Sequence, residues 1–423
     1  MAGSPRPHLT WRTTPRLPRV RSASLDARQA LTGTVTAPPA RGSVDVSSTE
    51  ETRTADTGTT AGRPPLRAAI VGTGAVAHLH AQAIAEDPRV ELVAVSNRGE
   101  SRRTEFADRY DVPGRYATHT DLLAAEHVDL VVLCTPPDLH RQQTLDAYAA
   151  GAHVLCEKPP ALSLAELDAM QAAADAAGRA FAIVFQQRTG TAAAHVRHLL
   201  DSGALGRPLL AQCQTLWHRG DDYYGVDWRG TWDGEGGGTT LGHGIHQLDL
   251  LAHLLGDWAE VDARLWRVAR DIEMEDVSTA VVRFANGVVA QAVSSVLSPR
   301  QTSVVRVDCE RATVEVEHLY GHAGPDWRIT PAPGVGEDEV ASWAFPADDE
   351  PSGHTPLVRA VVDALWDGTP MPDLVTHARR PLELVTAIYA SATYGRPVTH
   401  ADLDDDERFR TSLVADVTDV RPA

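Results

Sequence analysis

Lys158 is the one lysine among the 39 Lys and Arg residues of this chain. Arginine keeps its proton at any physiological pH, whereas a lysine ammonium gives its proton up more readily once it is desolvated. A position that must release and recover a proton therefore tolerates lysine and rejects arginine. Lys158 lies in Cys156-Glu157-Lys158-Pro159-Pro160, directly after a short apolar run. The bland alternative is a lone surface lysine paired with Glu157.

Two more stretches have residue types and spacing suited to chemistry. Gly72-Thr73-Gly74-Ala75-Val76-Ala77 follows one apolar run and opens a helical pattern. The first glycine permits a tight turn, the second lets backbone approach a pyrophosphate, and the small third residue allows close helix–strand packing. In that context the pattern predicts dinucleotide binding rather than merely a tight turn. The carboxylate that would hold a ribose 2′-hydroxyl, expected about 20 residues on, is missing. Asn97 and Arg98 stand there, with Arg102 and Arg103 behind, which suits a 2′-phosphate and leans the reading to NADP over NAD. Alternatively Arg98 stacks on the adenine of either. Thr135-Pro136-Pro137-x-x-His140 follows a third apolar run, so Thr135, Pro136, His140, Glu157 and Lys158 converge where open α/β sheets bind ligands.

In the second half, Trp228-Arg229-Gly230-Thr231-Trp232 and three glycines lead into Gly242-His243-Gly244-Ile245-His246-Gln247-Leu248-Asp249. His243, His246 and Asp249 would share a helix at i, i+3 and i+6. Zinc usually wants histidines at i, i+4 or a cysteine partner, so no metal is expected. His246 reads either as a buried structural histidine or as a proton donor and acceptor beside a hydroxyl or carbonyl.

The elements that must position these groups fall into two patterns. From Leu66 to Phe185, short Val/Leu/Ala runs alternate with helical stretches of about a dozen residues, which predicts βαβ units and a parallel sheet covered on both faces. Ser163 with Glu166 forms a capping box that opens an Ala-rich helix. After Gln187 the strands lengthen and alternate: 208–217, 261–270, 277–284 and 288–296. Asn286-Gly287 marks a hairpin between the last two. Helices at 240–255, 355–366 and 376–393 make this an α+β domain.

Composition bounds the partners. A formal charge of −18 argues against nucleic acid or an anionic membrane surface, and no apolar run reaches the length of a transmembrane helix. Four scattered cysteines read as free thiols in a reducing cytoplasm. Residues 1–64 are basic and rich in Pro, Thr, Ser and Gly, with Trp11 their only aromatic. They read as a disordered tail without the apolar stretch of a signal peptide, and a start codon assigned too far upstream would give the same text. The expected division is 1–64 tail, 65–187 nucleotide-binding domain, 188–400 substrate and oligomerisation domain, and 401–423 C-terminal tail.

Taken in order, Gly72-x-Gly74-x-x-Ala77, Thr135-Pro136-x-x-x-His140, Glu157-Lys158-Pro159 and the glycine-rich run into His246-x-x-Asp249 resemble the Gfo/Idh/MocA family of NAD(P)-dependent oxidoreductases over about residues 66–400. The resemblance implies an N-terminal Rossmann fold, a doubly wound parallel sheet. A C-terminal domain with a large, mostly antiparallel open sheet follows, whose free face often joins subunits into a homo-oligomer. It implies a sugar, polyol or cyclitol substrate. Gly72, Thr73, Gly74, Ala75, Val76, Asn97, Arg98, Thr135, Pro136, His140, Glu157 and Lys158 would hold the NAD(P). Lys158 and His246 would manage the hydroxyl proton, and Trp228, Arg229, Trp232, His243 and Asp249 would lie near substrate. One position departs. Relatives commonly carry aspartate four residues before the catalytic histidine, where this chain has Gly242. That departure keeps open a non-catalytic NAD(P)-binding sensor on the same fold; a metal-dependent lyase or hydrolase using His243 and His246 is a third reading.

Overall fold

The computed structural model describes residues 63–317 and 320–413, together with the backbone of 421–422. The expected disordered tail lies outside the described residues except for its last two. The first sheet contains β1 (Leu66–Val71), β2 (Val90–Ser96), β3 (Gly114–Tyr116), β4 (Leu130–Leu133), β5 (His153–Cys156) and β6 (Phe181–Ile183). They lie in the order β3-β2-β1-β4-β5-β6, and every pair is parallel. β4 and β6 are buried at every residue because helices cover both faces. β3 was not anticipated; three residues that include Gly114 and an exposed Arg115 carry no strand period. The Ser163 hydroxyl accepts from the Glu166 N–H at 3.0 Å, while the Glu166 carboxylate reaches back to the Leu162 N–H. The helix so capped runs to Ala177 and ends on left-handed Gly178.

The second sheet contains β7 (Pro208–His218), β8 (Trp258–Arg267), β9 (Val277–Phe284), β10 (Val289–Ser295), β11 (Leu297–Cys309), β12 (Ala312–Glu317), β13 (Trp327–Pro331) and β14 (Arg421–Pro422). Its order is β13-β12-β11-β7-β10-β9-β8-β14. β7–β10 and β8–β14 are parallel, and the remaining pairs antiparallel. Ala211, Cys213, Thr215 and Trp217 of β7 point inward at every second position. The helices Ile245–Leu255 and Arg379–Tyr394 cover that inner face. The outer face exposes Leu210, Val281 and Val289, and Leu210 stands opposite Val289 in the β7–β10 register.

Two features depart from the linear division. Residues 400–404 and 407–411 are helical, and Phe409 and Leu413 are fully buried. The expected C-terminal tail therefore begins with packed structure, because these apolar side chains find a core that the local sequence does not announce. The helix His354–Asp367 returns from the second half to the first sheet. Its Leu357, Val358, Val361 and Val362 share one core with Ile70, Val95, Leu130 and Val132. No helix among the described residues is long and apolar enough to cross a membrane.

Candidate active site

The glycine turn, Thr135-Pro136 and Glu157-Lys158 leave the carboxyl ends of β1, β4 and β5, side by side where the strand order reverses. They form one wall of a cleft of about 1150 Å³. Gly72 has φ +92°, and a Cβ there would lie 2.7 Å from the Cys134 carbonyl oxygen, so no side chain fits. Thr73, Gly74, Ala75 and Val76 line the cleft with it, as do Asn97, Arg98 and Arg102. The Asn97 amide donates to Thr73 Oγ1 at 2.8 Å, tying the end of β2 to the glycine turn. Arg103 is committed to the Asn97 carbonyl.

The opposite wall comes from the second half: Tyr223, Trp228, Arg229, Glu235, Gly242, His246 and Tyr320, joined by His354 from the returning helix. Gly238 lies hard against the Glu275 carbonyl and carboxylate, with no room for a Cβ. The Tyr389 hydroxyl accepts from the Gly238 N–H at 3.0 Å and donates to Glu275 Oε1 at 3.0 Å, while the Thr240 N–H donates to the same carboxylate at 2.9 Å. These buried bonds hold the entry to a π-helical turn, Thr240–Gly244, that runs into the helix Ile245–Leu255. The wide turn puts Gly242 and His246 on the cleft wall.

His246 is 1 % exposed, and among the described residues neither ring nitrogen has a hydrogen-bond partner. Burial first, and then the nearby Lys158 ammonium, holds its pKa well below the ordinary histidine value. It is a neutral imidazole with both nitrogens unspent. Lys158 Nζ donates to the Gly242 carbonyl at 3.3 Å. Burial pulls the lysine pKa down, the Glu157 carboxylate pushes it back, and Arg229 and Arg219 lower it further, for a net decrease.

Glu157 anchors this arrangement from below. His80 Nε2 lies 2.9 Å and His354 Nε2 3.4 Å from its Oε1, and the Lys158 N–H donates to Oε2 at 3.2 Å. Burial alone would raise this carboxyl, but the bonds from His354 and His80 outweigh it and hold the group below the usual range. The three ligand atoms of His80, Glu157 and His354 lie within 4.8 Å of one another, a spacing these hydrogen bonds already explain.

Four expected site residues lie off the cleft wall. His140 is fully buried, with Nε2 2.9 Å from the Thr135 carbonyl and Nδ1 3.1 Å from that of Pro159. It braces the two proline turns from inside the fold. Asp249 is 0 % exposed and forms a bidentate pair with Arg188, one bond being 2.7 Å. Its side chain points to the interior, one helical turn past His246. Trp232 opens the short helix Trp232–Glu235, with its N–H on Glu273. His243 sits behind the wall, where its Nε2 accepts from Arg219 Nε at 3.1 Å. Its Nδ1 is buried with no hydrogen-bond partner among the described residues. Tyr223, Glu235, Tyr320 and His354 were not anticipated. Tyr223 and Glu235 flank the Trp228–Trp232 motif, whereas Tyr320 and His354 stand far from every motif in sequence.

Comparison with known proteins follows the same two halves. Residues 66–185 match the family model described as "Oxidoreductase family, NAD-binding Rossmann fold". Residues 193–315 match the GFO/IDH/MocA C-terminal domain. D-Glucoside 3-dehydrogenase of Escherichia coli (strain K12) is 33% identical over 193 residues, which is 45% of this chain and 54% of that protein. The chain thus spans about half the length of that relative. The WlbA dehydrogenase from Bordetella pertussis, solved with NADH and UDP-GlcNAcA, superposes with TM-score 0.70 at 27% identity, covering 79% of this chain and 98% of that one. Aldose-aldose oxidoreductase from Caulobacter crescentus, complexed with glycerol, gives 0.69 at 26% identity over 79% and 99%. With both domain models matched in order, this chain belongs to the Gfo/Idh/MocA oxidoreductase family.

Proposed function

We propose that this chain is an NAD(P)-dependent oxidoreductase that interconverts a carbinol and a carbonyl on a sugar, polyol or cyclitol. The observation that carries the reading is His246: a buried, neutral imidazole with both nitrogens unspent, on the wall of a cleft it shares with Lys158. The opposite wall suits the cofactor, because Gly72 packs a tight turn on the Cys134 carbonyl and the backbone of Gly72–Val76 lines the cleft at the start of a helix. When bound, a nicotinamide supplies a two-electron hydride acceptor or donor. The chain supplies the rest. His246 takes the hydroxyl proton or returns it, and Lys158 Nζ, held on the Gly242 carbonyl, donates to the same oxygen and stabilises its developing negative charge. Tyr223, Trp228 and Tyr320 offer ring faces for sugar C–H groups.

Relatives named D-glucoside 3-dehydrogenase and D-apiose dehydrogenase support the substrate class. Arg98 and Arg102 in the cleft, with no carboxylate at the end of β2, support NADP over NAD. The apolar outer face of the second sheet supports a homo-oligomer, and four unpaired cysteines support a reducing cytoplasm. A second reading, a non-catalytic NAD(P) sensor, rests on Gly242, where the family resemblance implies an aspartate. The deciding experiment is a panel of sugars, polyols and cyclitols with NAD and with NADP, read as reduced-nicotinamide absorbance. Turnover of any member supports the enzyme; cofactor binding without turnover of any favours the sensor.

A further inference from the structure

The turn that opens the helix His354–Asp367 brings polar groups to the cleft that nothing in the chain satisfies. Ser352, Gly353, His354 and Thr355 all line it. The turn is held from behind, because the Ser352 N–H donates to the His322 carbonyl at 2.9 Å and the Gly353 N–H to Thr189 Oγ1 at 2.9 Å. Ser352 is 4 % exposed, and its hydroxyl has no hydrogen-bond partner among the described residues. His354 is spent on one side only. Its Nε2 lies 3.4 Å from Glu157 Oε1, which also meets His80 Nε2 at 2.9 Å. Those two bonds hold the Glu157 carboxyl below the usual range, and an ionised carboxylate can only accept. Each Nε2 therefore carries a hydrogen, and in the neutral ring of His354 the other nitrogen, Nδ1, is a lone-pair acceptor. Among the described residues Nδ1 makes no hydrogen bond.

Place along the cleft decides which part of a ligand meets this turn. Arg98 follows β2 and Lys158 follows β5, on either side of the glycine turn after β1. A dinucleotide whose pyrophosphate sits on that turn sends one nucleoside each way. Hydride transfer beside Lys158 and His246 assigns the nicotinamide to the β5 side, and His354 stands there on Glu157, the residue before Lys158. The nicotinamide ring carries one substituent that both donates and accepts, its primary amide. We propose that the turn Ser352–His354 holds this carboxamide, its NH2 donating to His354 Nδ1 and its oxygen accepting from the Ser352 hydroxyl. Gripping both atoms of the amide fixes the rotation of the ring and so the face it turns to the substrate. The second half of the chain then positions the cofactor as well as the substrate. This rests on the dinucleotide reading of the cleft.

Binding to the full chain is measured by isothermal titration calorimetry, which needs no turnover. The ligands are NAD or NADP, whichever binds more tightly, and its 3-acetylpyridine analogue, in which a methyl replaces the amide NH2 and the carbonyl stays. ADP-ribose or its 2′-phosphate, which lacks the ring, is the third. The wild-type chain should prefer the dinucleotide to the analogue by about three- to tenfold, the worth of one hydrogen bond. His354→Phe removes the acceptor and should erase that preference by weakening the dinucleotide alone. Ser352→Ala should weaken the dinucleotide and the analogue by a similar factor, since both keep the carbonyl. Neither variant should change the affinity for ADP-ribose. If circular dichroism shows that His354→Phe misfolds, His354→Gln, which keeps a donor for Glu157 but no ring acceptor, takes its place with the same expectation. Equal wild-type binding of dinucleotide and analogue overturns the proposal and leaves the dinucleotide reading standing. A preference that the folded His354 variant keeps puts the amide NH2 on another acceptor and overturns it too. Ser352→Ala binding all three ligands as the wild type does overturns the two-point grip. A loss shared by ADP-ribose in a folded variant places the turn on ribose or phosphate, which also overturns it. Failure of the wild-type chain to bind any of the three removes the dinucleotide reading itself, and the proposal with it.

Discussion

The Lys158 ammonium is aimed by the carbonyl oxygen of Gly242, 3.3 Å away, across the boundary between the two halves of the chain. A lysine held this way keeps two N–H groups free for a substrate oxygen, while the Glu157 carboxylate offsets part of its charge. Lys158→Arg should preserve the fold and lower kcat by about two orders of magnitude, the usual worth of a general acid or base. Far-ultraviolet circular dichroism and steady-state kinetics check both halves of that expectation, and near-normal kcat would remove Lys158 from the mechanism.

The pH dependence of turnover should show an alkaline-side limb that belongs to Lys158. Its pKa is held below the ordinary lysine value by burial and by Arg229 and Arg219. The limb should therefore lie below about pH 10.4, and Arg219→Gln should move it upward. His246 is held well below its ordinary value by burial, so it stays neutral through the working range. No inflection near pH 6.5, the ordinary histidine value, is expected in kcat.

Stability should fall on mild acidification. His80, His140, His243 and His246 are buried with pKa values lowered chiefly by burial. Below about pH 6.5 the unfolded chain takes up protons at these positions while the folded chain does not. The stabilisation they contribute is present above that pH and lost as pH falls through it. Thermal unfolding from pH 8 to pH 5 should show Tm declining before the carboxylates begin to titrate. A flat Tm over that window would mean that the buried rings are already charged.

Asp249 is buried in an ion pair with Arg188, off the cleft wall. Removing one member of a buried ion pair leaves the other uncompensated, so Asp249→Ala should cost about 3–5 kcal/mol of stability. Urea unfolding measures that loss. KM for substrate in the remaining folded protein should be unchanged, and a selective rise in KM would return Asp249 to the site.

Arg98→Asp combined with Arg102→Ala should shift the ratio of kcat/KM for NADP over NAD towards NAD by about tenfold or more, because a 2′-phosphate loses its cations and a ribose 2′-hydroxyl gains an acceptor. An unchanged ratio would dissociate these arginines from cofactor choice. On the other side of the molecule, Leu210→Arg with Val281→Arg places two charges on the exposed face of the second sheet. Light scattering should then report a smaller assembly than that of the unaltered chain, and an unchanged mass would free that face of the role.

The cofactor wall was legible because its signals are local. β1 could be read at its true limits, since a parallel strand covered on both faces is written as a continuous apolar run. The glycine turn follows it immediately. The substrate wall was only half legible. Gly242 and His246 could be numbered from their motif, but Tyr320 and His354 reach the cleft through sheet register and a returning helix that no short-range pattern encodes. β11, β12 and β13 went unread although outward Arg306, Asp308, Glu315 and Arg328 alternate with inward apolar residues, the period of a half-buried strand. The positions of Asp249 and His140 off the cleft wall could not be read for one reason. Sequence spacing places a side chain on an element but does not say which backbone carbonyl or arginine waits on the far side.

The helix His354–Asp367 ties the halves together more firmly than a linear division of the chain suggests. With Leu357, Val358, Val361 and Val362 seated on the first sheet and His354 on Glu157, the second half acts as a strap across the first. Cutting the chain near residue 187 would strip that sheet of part of its cover, so the nucleotide-binding half is not a portable module. The same strap resists any wide parting of the two walls. Across the cleft, the segment 220–238 contributes Tyr223, Trp228, Arg229 and Glu235 to its wall.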